Sequence, residues 1–185
     1  AIGQVTGAEF QIGVQLMRNA LKASLAVAKV AGGTFIRAGA VVGMTLTTHG
    51  MLEANPLEVM EYRNKINAWD VKVIAEVESL HFKWFGEAKP TAEVARSAKH
   101  VGADAVSLGD PDERKTLATI AAVRKAVPGL PIILAGYTNH ENAARLLAAA
   151  DGAFVGTCLE RGGRGGQNDV ERVKAYVDIV RGLER

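Results

Sequence analysis

The chain has 185 residues, a length typical of one domain with a sizeable core. Its net charge of +2 is too small to argue by itself for nucleic acid or for a membrane surface as a partner. One cysteine, Cys158, excludes an internal disulfide framework, and no apolar run is long enough to cross a membrane, so we expect a cytoplasmic protein.

Apolar runs and helical patterns alternate along the whole chain. The predicted strands are 10–16, 34–40, 71–79, 103–109, 131–135 and 153–155. The predicted helices are 19–31, 56–66, 91–100, 112–127, 138–150 and 169–183, and 41–55 is predicted as a long loop. This alternation predicts a single domain over 1–185 with a parallel sheet covered by helices, either a (β/α) barrel or an open doubly wound sheet.

Glycines follow the last two predicted strands directly. Gly136 ends the run 131–135, and Gly156 with Thr157 ends the run 153–155. In (β/α)8 barrels the loops after strands 7 and 8 commonly bind phosphate, because glycine lets the backbone approach the ligand. The spacing of Thr138 and Glu141 matches a capping box, which would start a helix with free N–H groups at its tip. We therefore predict phosphate binding by a set of loop residues, namely Gly136, Tyr137, Thr138, Gly156 and Thr157. The alternative is that these glycines only form tight turns.

The sequence predicts six strand–helix units, whereas a (β/α)8 barrel has eight. If the glycine loops follow strands 7 and 8, the chain supplies strands 3–8, and the first two units are absent. Such a barrel would expose two unpaired sheet edges. We therefore expect an N-terminally incomplete barrel or an edge closed by another chain, and we expect a homo-oligomer.

Two carboxylates lie on one face of the predicted strand 71–79. Strand alternation places Glu76 and Glu78 together, near the carboxyl end where barrels keep their active sites. Close carboxylates push their pKa values apart, so they are candidates for acid and base. Arg37 of the neighbouring strand could orient an anionic substrate. The alternative, equally open, is a buried structural ion pair between Arg37 and Glu76.

Further candidates follow other strands. Ser107 is predicted to point inward and to hydrogen-bond a substrate, since no partner marks it as a nucleophile. His49 and His81 lie in loops after strands, and a metal site at Glu76, Glu78 and His81 is an alternative, although no spacing matches a metal motif and no metal is assigned. Arg161 or Arg164 of the segment RGGRGG could contact a phosphate if this segment closes over a ligand. RNA binding by RGGRGG is a competing interpretation, and we expect no nucleic-acid partner.

The chain resembles the BtpA/SgcQ family of TIM-barrel proteins, named for a factor in photosystem I biogenesis. The resemblance runs from about Ile12 to the C-terminus. It rests on the segments GVQLMRNALKASLAVA, FIRAGAVVGMTLTTHGMLE, DVKVIAEV, the HEN of TNHENAARLL, and ADGAFVGTCLE followed by NDVERV. The family's usual first two strands have no counterpart here. Several polar positions of the family pattern are replaced, among them those now occupied by Gly39, Val41 and Gly136-Tyr137.

The resemblance implies the barrel fold, and the residues predict a phosphate-type anion site within it. We expect a small phosphorylated ligand and no cofactor. If the protein is an enzyme, we expect a lyase or isomerase in which Glu76 or Glu78 transfers a proton while Arg37 and Ser107 orient the substrate. The replaced polar positions favour an alternative, a non-catalytic assembly or biogenesis factor that keeps the barrel and an anion site.

Overall fold

The computed structural model describes residues 10–17, 19–47 and 50–183. The strands of its main sheet alternate with helices, as predicted. The strands, in chain order, are β1 Gly13–Val14, β2 Phe35–Ala38, β3 Met44–Thr47, β4 Gly50–Glu53, β5 Lys72–Glu78, β6 Ala105–Leu108, β7 Ile132–Leu134, β8 Gly152–Ala153, β9 Glu160–Arg161 and β10 Gln167–Asn168. The helices are α1 Leu21–Ala31, α2 Pro56–Lys65, α3 Thr91–His100, α4 Glu113–Ala126, α5 Ala143–Leu147 and α6 Val170–Arg181. None of these helices combines the length and the apolar character that a membrane span requires.

Six strands form one sheet in the order β1-β2-β5-β6-β7-β8, and every neighbouring pair is parallel. The sheet is curled. Phe35 of β2 and Phe154, which follows β8, approach to 6.3 Å between ring centroids, although β5, β6 and β7 lie between their strands. The architecture is therefore a half-barrel with a concave and a convex face. This confirms the parallel α/β prediction. The assignment of the strands to positions 3–8 of a complete barrel stays a prediction.

The convex face carries the core, because strand side chains alternate between the two faces. Its strand residues pack against the helices in one apolar cluster: Ile36, Ala38, Val73, Ala75, Val77, Val106, Leu108, Ile132 and Leu134. The intervening residues, which include Arg37, Glu76 and Ser107, point to the concave side. The same alternation that forms the core thus places polar side chains inside the half-barrel.

The segment 41–55, predicted as a long loop, contains an antiparallel hairpin. β3 pairs with β4, with Leu46 opposite Met51 and Thr45 opposite Leu52. The loop after β5 fixes its base, since the Phe85 N–H donates to the Met44 carbonyl at 3.0 Å. The prediction was wrong because this segment gains its order from a distant loop, which local turn signals do not reveal.

The capping-box prediction was also wrong. Helix α5 is five residues long and begins after Asn142. The Thr138 hydroxyl is hydrogen-bonded to the Tyr176 hydroxyl of α6 at 2.7 Å and caps no helix. Instead, the Asn139 side chain accepts from the N–H groups of Glu141 and Asn142 at 2.8 and 3.1 Å, an Asx turn. Thr138, which the local pattern assigned to the helix cap, therefore bonds to Tyr176, a residue distant in sequence.

Candidate functional site

Two adjoining cavities open where the parallel strands end. The first, the loop cavity, is about 730 Å³ and lies between the loops after β7 and β8. The second, the hairpin cavity, is about 490 Å³ and lies beside the β3–β4 hairpin. Arg37, Leu80, His81 and Arg164 line both, so the two form one continuous cleft. This is the end at which barrel proteins place their chemistry.

The loop cavity brings together the residues predicted to bind phosphate. Gly136, Tyr137, Thr138, Gly156 and Thr157 all line it. Across the part of the chain that the structure describes, none of their backbone N–H groups donates a hydrogen bond to a protein acceptor. Successive unsatisfied N–H groups form concavities that favour anions. Two loops that line this cavity therefore carry backbone donors with no acceptor among the described residues.

Backbone conformation explains part of this geometry. Gly136 has φ +123° and Tyr137 has φ +59°, so two successive residues have positive φ. Gly136 adopts this at little cost because it has no Cβ, whereas Tyr137 pays a steric penalty. A Cβ built on Gly156 would meet no atom within 4 Å. A side chain there would occupy the open space of the cavity rather than the core.

The segment RGGRGG begins in β9 with Arg161 and continues through the turn to β10, and its two arginines have different surroundings. Arg164 lines the cleft. Arg161 lies outside it, with Nε and Nη2 donating to Asp169 at 3.0 and 2.9 Å. The hydrogen bond from Arg161 lowers the pKa of Asp169 below its usual value. Of the two predicted alternatives, only Arg164 is placed at the loop cavity.

Arg37 and Glu76 form an ion pair on the concave face. Arg37 Nη2 lies 3.0 Å from Glu76 Oε1, and the Glu76 side chain is only 2% exposed. The Ser79 hydroxyl donates to the same Oε1. The Arg37 guanidinium also lies over the Phe154 ring, at 4.8 Å from its centroid. The structural ion pair that the sequence left open is therefore present, and it forms part of the floor of the hairpin cavity.

Glu78 has different surroundings from Glu76. The pairing of β5 with β6 shifts register between these two residues, because Glu76 pairs with Ser107 and Glu78 with the next residue, Leu108. The bulge redirects the strand end. Glu78 accepts from the Thr91 hydroxyl and lies 3.2 Å from Lys115 Nζ. The structure thus does not bring Glu78 into the cleft, and a catalytic role for it stays a prediction.

Ser107 lies beside Glu76 in register and is fully buried. Its hydroxyl makes no hydrogen bond to another residue in the described ranges. His81 lines the cleft, whereas His49 lies outside the described residues. Within the described part of the chain, no three His, Cys, Asp or Glu side chains are grouped to hold a metal ion. The alternative metal site at Glu76, Glu78 and His81 therefore has no geometric support.

Other cleft residues were not identified from the sequence. Phe154 contacts Arg37, and Leu46, Leu52 and Leu80 line the hairpin cavity. The alternation in MTLT and MLE was an available signal for the hairpin. No local signal indicated that the hairpin would lie beside the strand ends.

The profile of the BtpA family matches residues 4–182. The photosystem I biogenesis protein BtpA of Synechocystis sp. is 28% identical over 175 residues, covering 91% of this chain and 60% of that protein. An uncharacterised protein of Archaeoglobus fulgidus is 29% identical over 173 residues, covering 92% of this chain and 67% of that protein. The chain thus spans about three fifths to two thirds of the length of these relatives.

Among solved structures, N-(5'-phosphoribosyl)anthranilate isomerase from Pyrococcus furiosus is similar in fold. It has a TM-score of 0.62 and 17% identity, covering 97% of this chain and 78% of that structure. At this identity the likeness shows the fold alone, which is TIM-barrel-like. The family match over almost the whole chain carries the assignment: this chain belongs to the BtpA family.

Proposed function

We propose that this chain binds a small phosphorylated metabolite, with the phosphate in the loop cavity. The observation that carries the proposal concerns two neighbouring loops, Gly136–Thr138 and Gly156–Thr157, which line one cavity. Their backbone N–H groups donate to no acceptor in the described part of the chain. Arg164 adds a positive charge beside them. Backbone donors and a guanidinium together are the chemistry that recognises a phosphate.

We propose further that Glu76 transfers a proton in a lyase or isomerase reaction on the bound metabolite. Among the described residues, Arg37 and Ser79 both donate to Oε1 of Glu76. We propose that the second oxygen, Oε2, exchanges the proton with the substrate. Arg37 would hold the carboxylate in place and orient an anionic or carbonyl group of the substrate. One protein of similar fold is an N-(5'-phosphoribosyl)anthranilate isomerase, and its name agrees with the class of reaction that we propose.

Matched arginine variants test the phosphate site. Arg164→Met should weaken the binding of inorganic phosphate by about 3- to 10-fold, because a nearby charge contributes roughly 1 kcal/mol. Arg161→Met is the control, since Arg161 belongs to the same short segment but pairs with Asp169. It should leave phosphate affinity unchanged. Isothermal titration calorimetry at low ionic strength measures both.

Gly156→Val provides an independent test. The valine side chain would stand in the open space next to the Gly156 backbone, so it should abolish phosphate binding. Far-UV circular dichroism and thermal unfolding would establish that the variant is folded. Equal phosphate affinity in wild type and a folded Gly156→Val, or no binding to either, would mean that these glycines only form turns.

A second candidate is a non-catalytic assembly factor that retains the anion site. Two observations favour it: the negative charge of Glu76 is already paired with Arg37, and a relative is named a photosystem I biogenesis protein. The two candidates differ in turnover. Proton NMR of phosphorylated sugars and phosphorylated keto acids incubated with wild type and with Glu76→Gln distinguishes them. Turnover lost in Glu76→Gln supports the enzyme, and binding without turnover in either supports the assembly factor.

A further inference from the structure

The hairpin cavity has an apolar wall above a polar floor. Its floor contains the pair Arg37–Glu76, and its wall is made of side chains from three segments. Of these, Met17 is 68% exposed, Leu46 is 64% exposed and Leu80 is 59% exposed. Single exposed apolar residues need no explanation, but a group that lines one cavity does. These three side chains of the described part of the chain are thus left exposed at the cavity.

The hairpin and the loop after β5, which carry Leu46 and Leu80 of the wall, are held together by several contacts. At the hairpin base, the Lys83 N–H donates to Thr45 Oγ1 at 3.0 Å, and Thr45 is buried. Trp84 packs against Gly43, where a Cβ would come within 2.4 Å of its ring. The hairpin and the loop after β5 thus support each other. A wall fixed in this way loses little conformational entropy when it receives a ligand.

The wall is continuous with the loop cavity. Leu80 lines both cavities, together with Arg37, His81 and Arg164. A ligand whose phosphate is held by the loops after β7 and β8 can therefore extend along Leu80 towards Leu46 without leaving the cleft. Sites of this kind combine an apolar lining with a few polar groups that fix orientation.

We infer that the ligand is a phosphate monoester with an apolar body, and that the β3–β4 hairpin with Leu80 selects it by burying that body. This inference rests on the proposed function, because the phosphate must occupy the loop cavity. It goes further in naming the part of the ligand that the hairpin recognises. A compact, fully polar phosphate such as a triose phosphate would leave the wall exposed.

A series of n-alkyl phosphates, from methyl to hexyl, tests the inference. Each methylene buried against the wall should tighten binding by about twofold to fourfold, from a transfer gain of up to about 0.8 kcal/mol per CH₂. In Leu46→Ser and Leu80→Ser this dependence on chain length should flatten. In Leu46→Ser, whose leucine lines only the hairpin cavity, the affinity for inorganic phosphate should stay unchanged. Leu57→Ser is the matched control, because Leu57 is 69% exposed on α2 and lines neither cavity.

The outcomes are distinct. If inorganic phosphate binds but affinity does not rise with chain length, the inference is overturned and the proposed function stands. A rise with chain length that Leu46→Ser and Leu80→Ser leave intact also overturns it, since the apolar contact then lies elsewhere. Failure of inorganic phosphate and of every alkyl phosphate to bind overturns both. Self-association in sedimentation velocity that these two serine variants abolish, without any chain-length dependence, assigns the wall to a second copy of the chain and overturns the inference.

Discussion

Glu76→Gln separates a structural from a catalytic role for the buried carboxylate. Glutamine has nearly the same shape as glutamate, and its carbonyl can still accept from Arg37 and from Ser79. The substitution therefore removes the negative charge and replaces the second oxygen with an NH₂ donor. What remains is Arg37, whose side chain is 19% exposed, beside a neutral partner.

The burial of this ion pair determines how much stability Glu76→Gln should lose. Removing one partner of a fully buried ion pair costs about 3–5 kcal/mol, because the other charge is left uncompensated. The Arg37 side chain stays partly exposed to solvent, and the glutamine retains both hydrogen bonds. We therefore expect Glu76→Gln to lower the free energy of unfolding by about 2–4 kcal/mol. For a protein of this size, that corresponds to a decrease of about 4–16 °C in the melting temperature.

Urea unfolding of wild type, Glu76→Gln, Arg37→Met and the double variant measures the coupling between the two side chains. The loss of unfolding free energy in the double variant should be smaller than the sum of the losses in the two single variants by at least about 1 kcal/mol. The reason is that Glu76→Gln leaves the charge of Arg37 without a partner, and Arg37→Met removes that charge. Additive effects, or a loss below about 0.5 kcal/mol in Glu76→Gln, would refute the ion-pair reasoning. The carboxylate would then be maintained for function alone.

Three further predictions concern single contacts. Burial raises the pKa of the Cys158 thiol, so its alkylation by iodoacetamide should follow a pH midpoint above the usual value of about 8.5, and phosphate should slow the reaction because Cys158 lines the loop cavity. Intact-mass spectrometry measures the rate, and a lower midpoint would contradict the stated burial. Thr138→Val and Tyr176→Phe should each cost about 1 kcal/mol in thermal unfolding, with no additional loss in the double variant. Strictly additive losses would show that the hydroxyls do not act as a pair. Glu78→Gln should lower the free energy of unfolding by about 0.5–1.5 kcal/mol, because it weakens the contact with Lys115, and it should leave phosphate affinity unchanged. Loss of phosphate binding in calorimetry would instead show that Glu78 contributes to the phosphate site.

Local pattern was enough to predict a parallel sheet covered by helices, but it left a barrel and an open doubly wound sheet as alternatives. Apolar runs such as VKVIAEV are typical of strands in a parallel sheet packed against helices, and the alternation of strands and helices leaves parallel pairing as the simplest topology. Glycine after the last two strands likewise marked the loops that line the loop cavity. These features depend on side-chain period and backbone freedom, which are properties of short segments.

Only the tertiary structure decided what each polar side chain contacts. Thr138 and Glu141 have the spacing of a capping box, yet Tyr176, which is 38 residues further along the chain, takes the Thr138 hydroxyl. Glu76 and Glu78 have the spacing of one strand face, yet the bulge opposite β6 gives them separate partners. In each case the competing partner comes from a distant segment. Sequence spacing determines which residues share a face, whereas the contacts across segments decide which hydrogen bonds and ion pairs form.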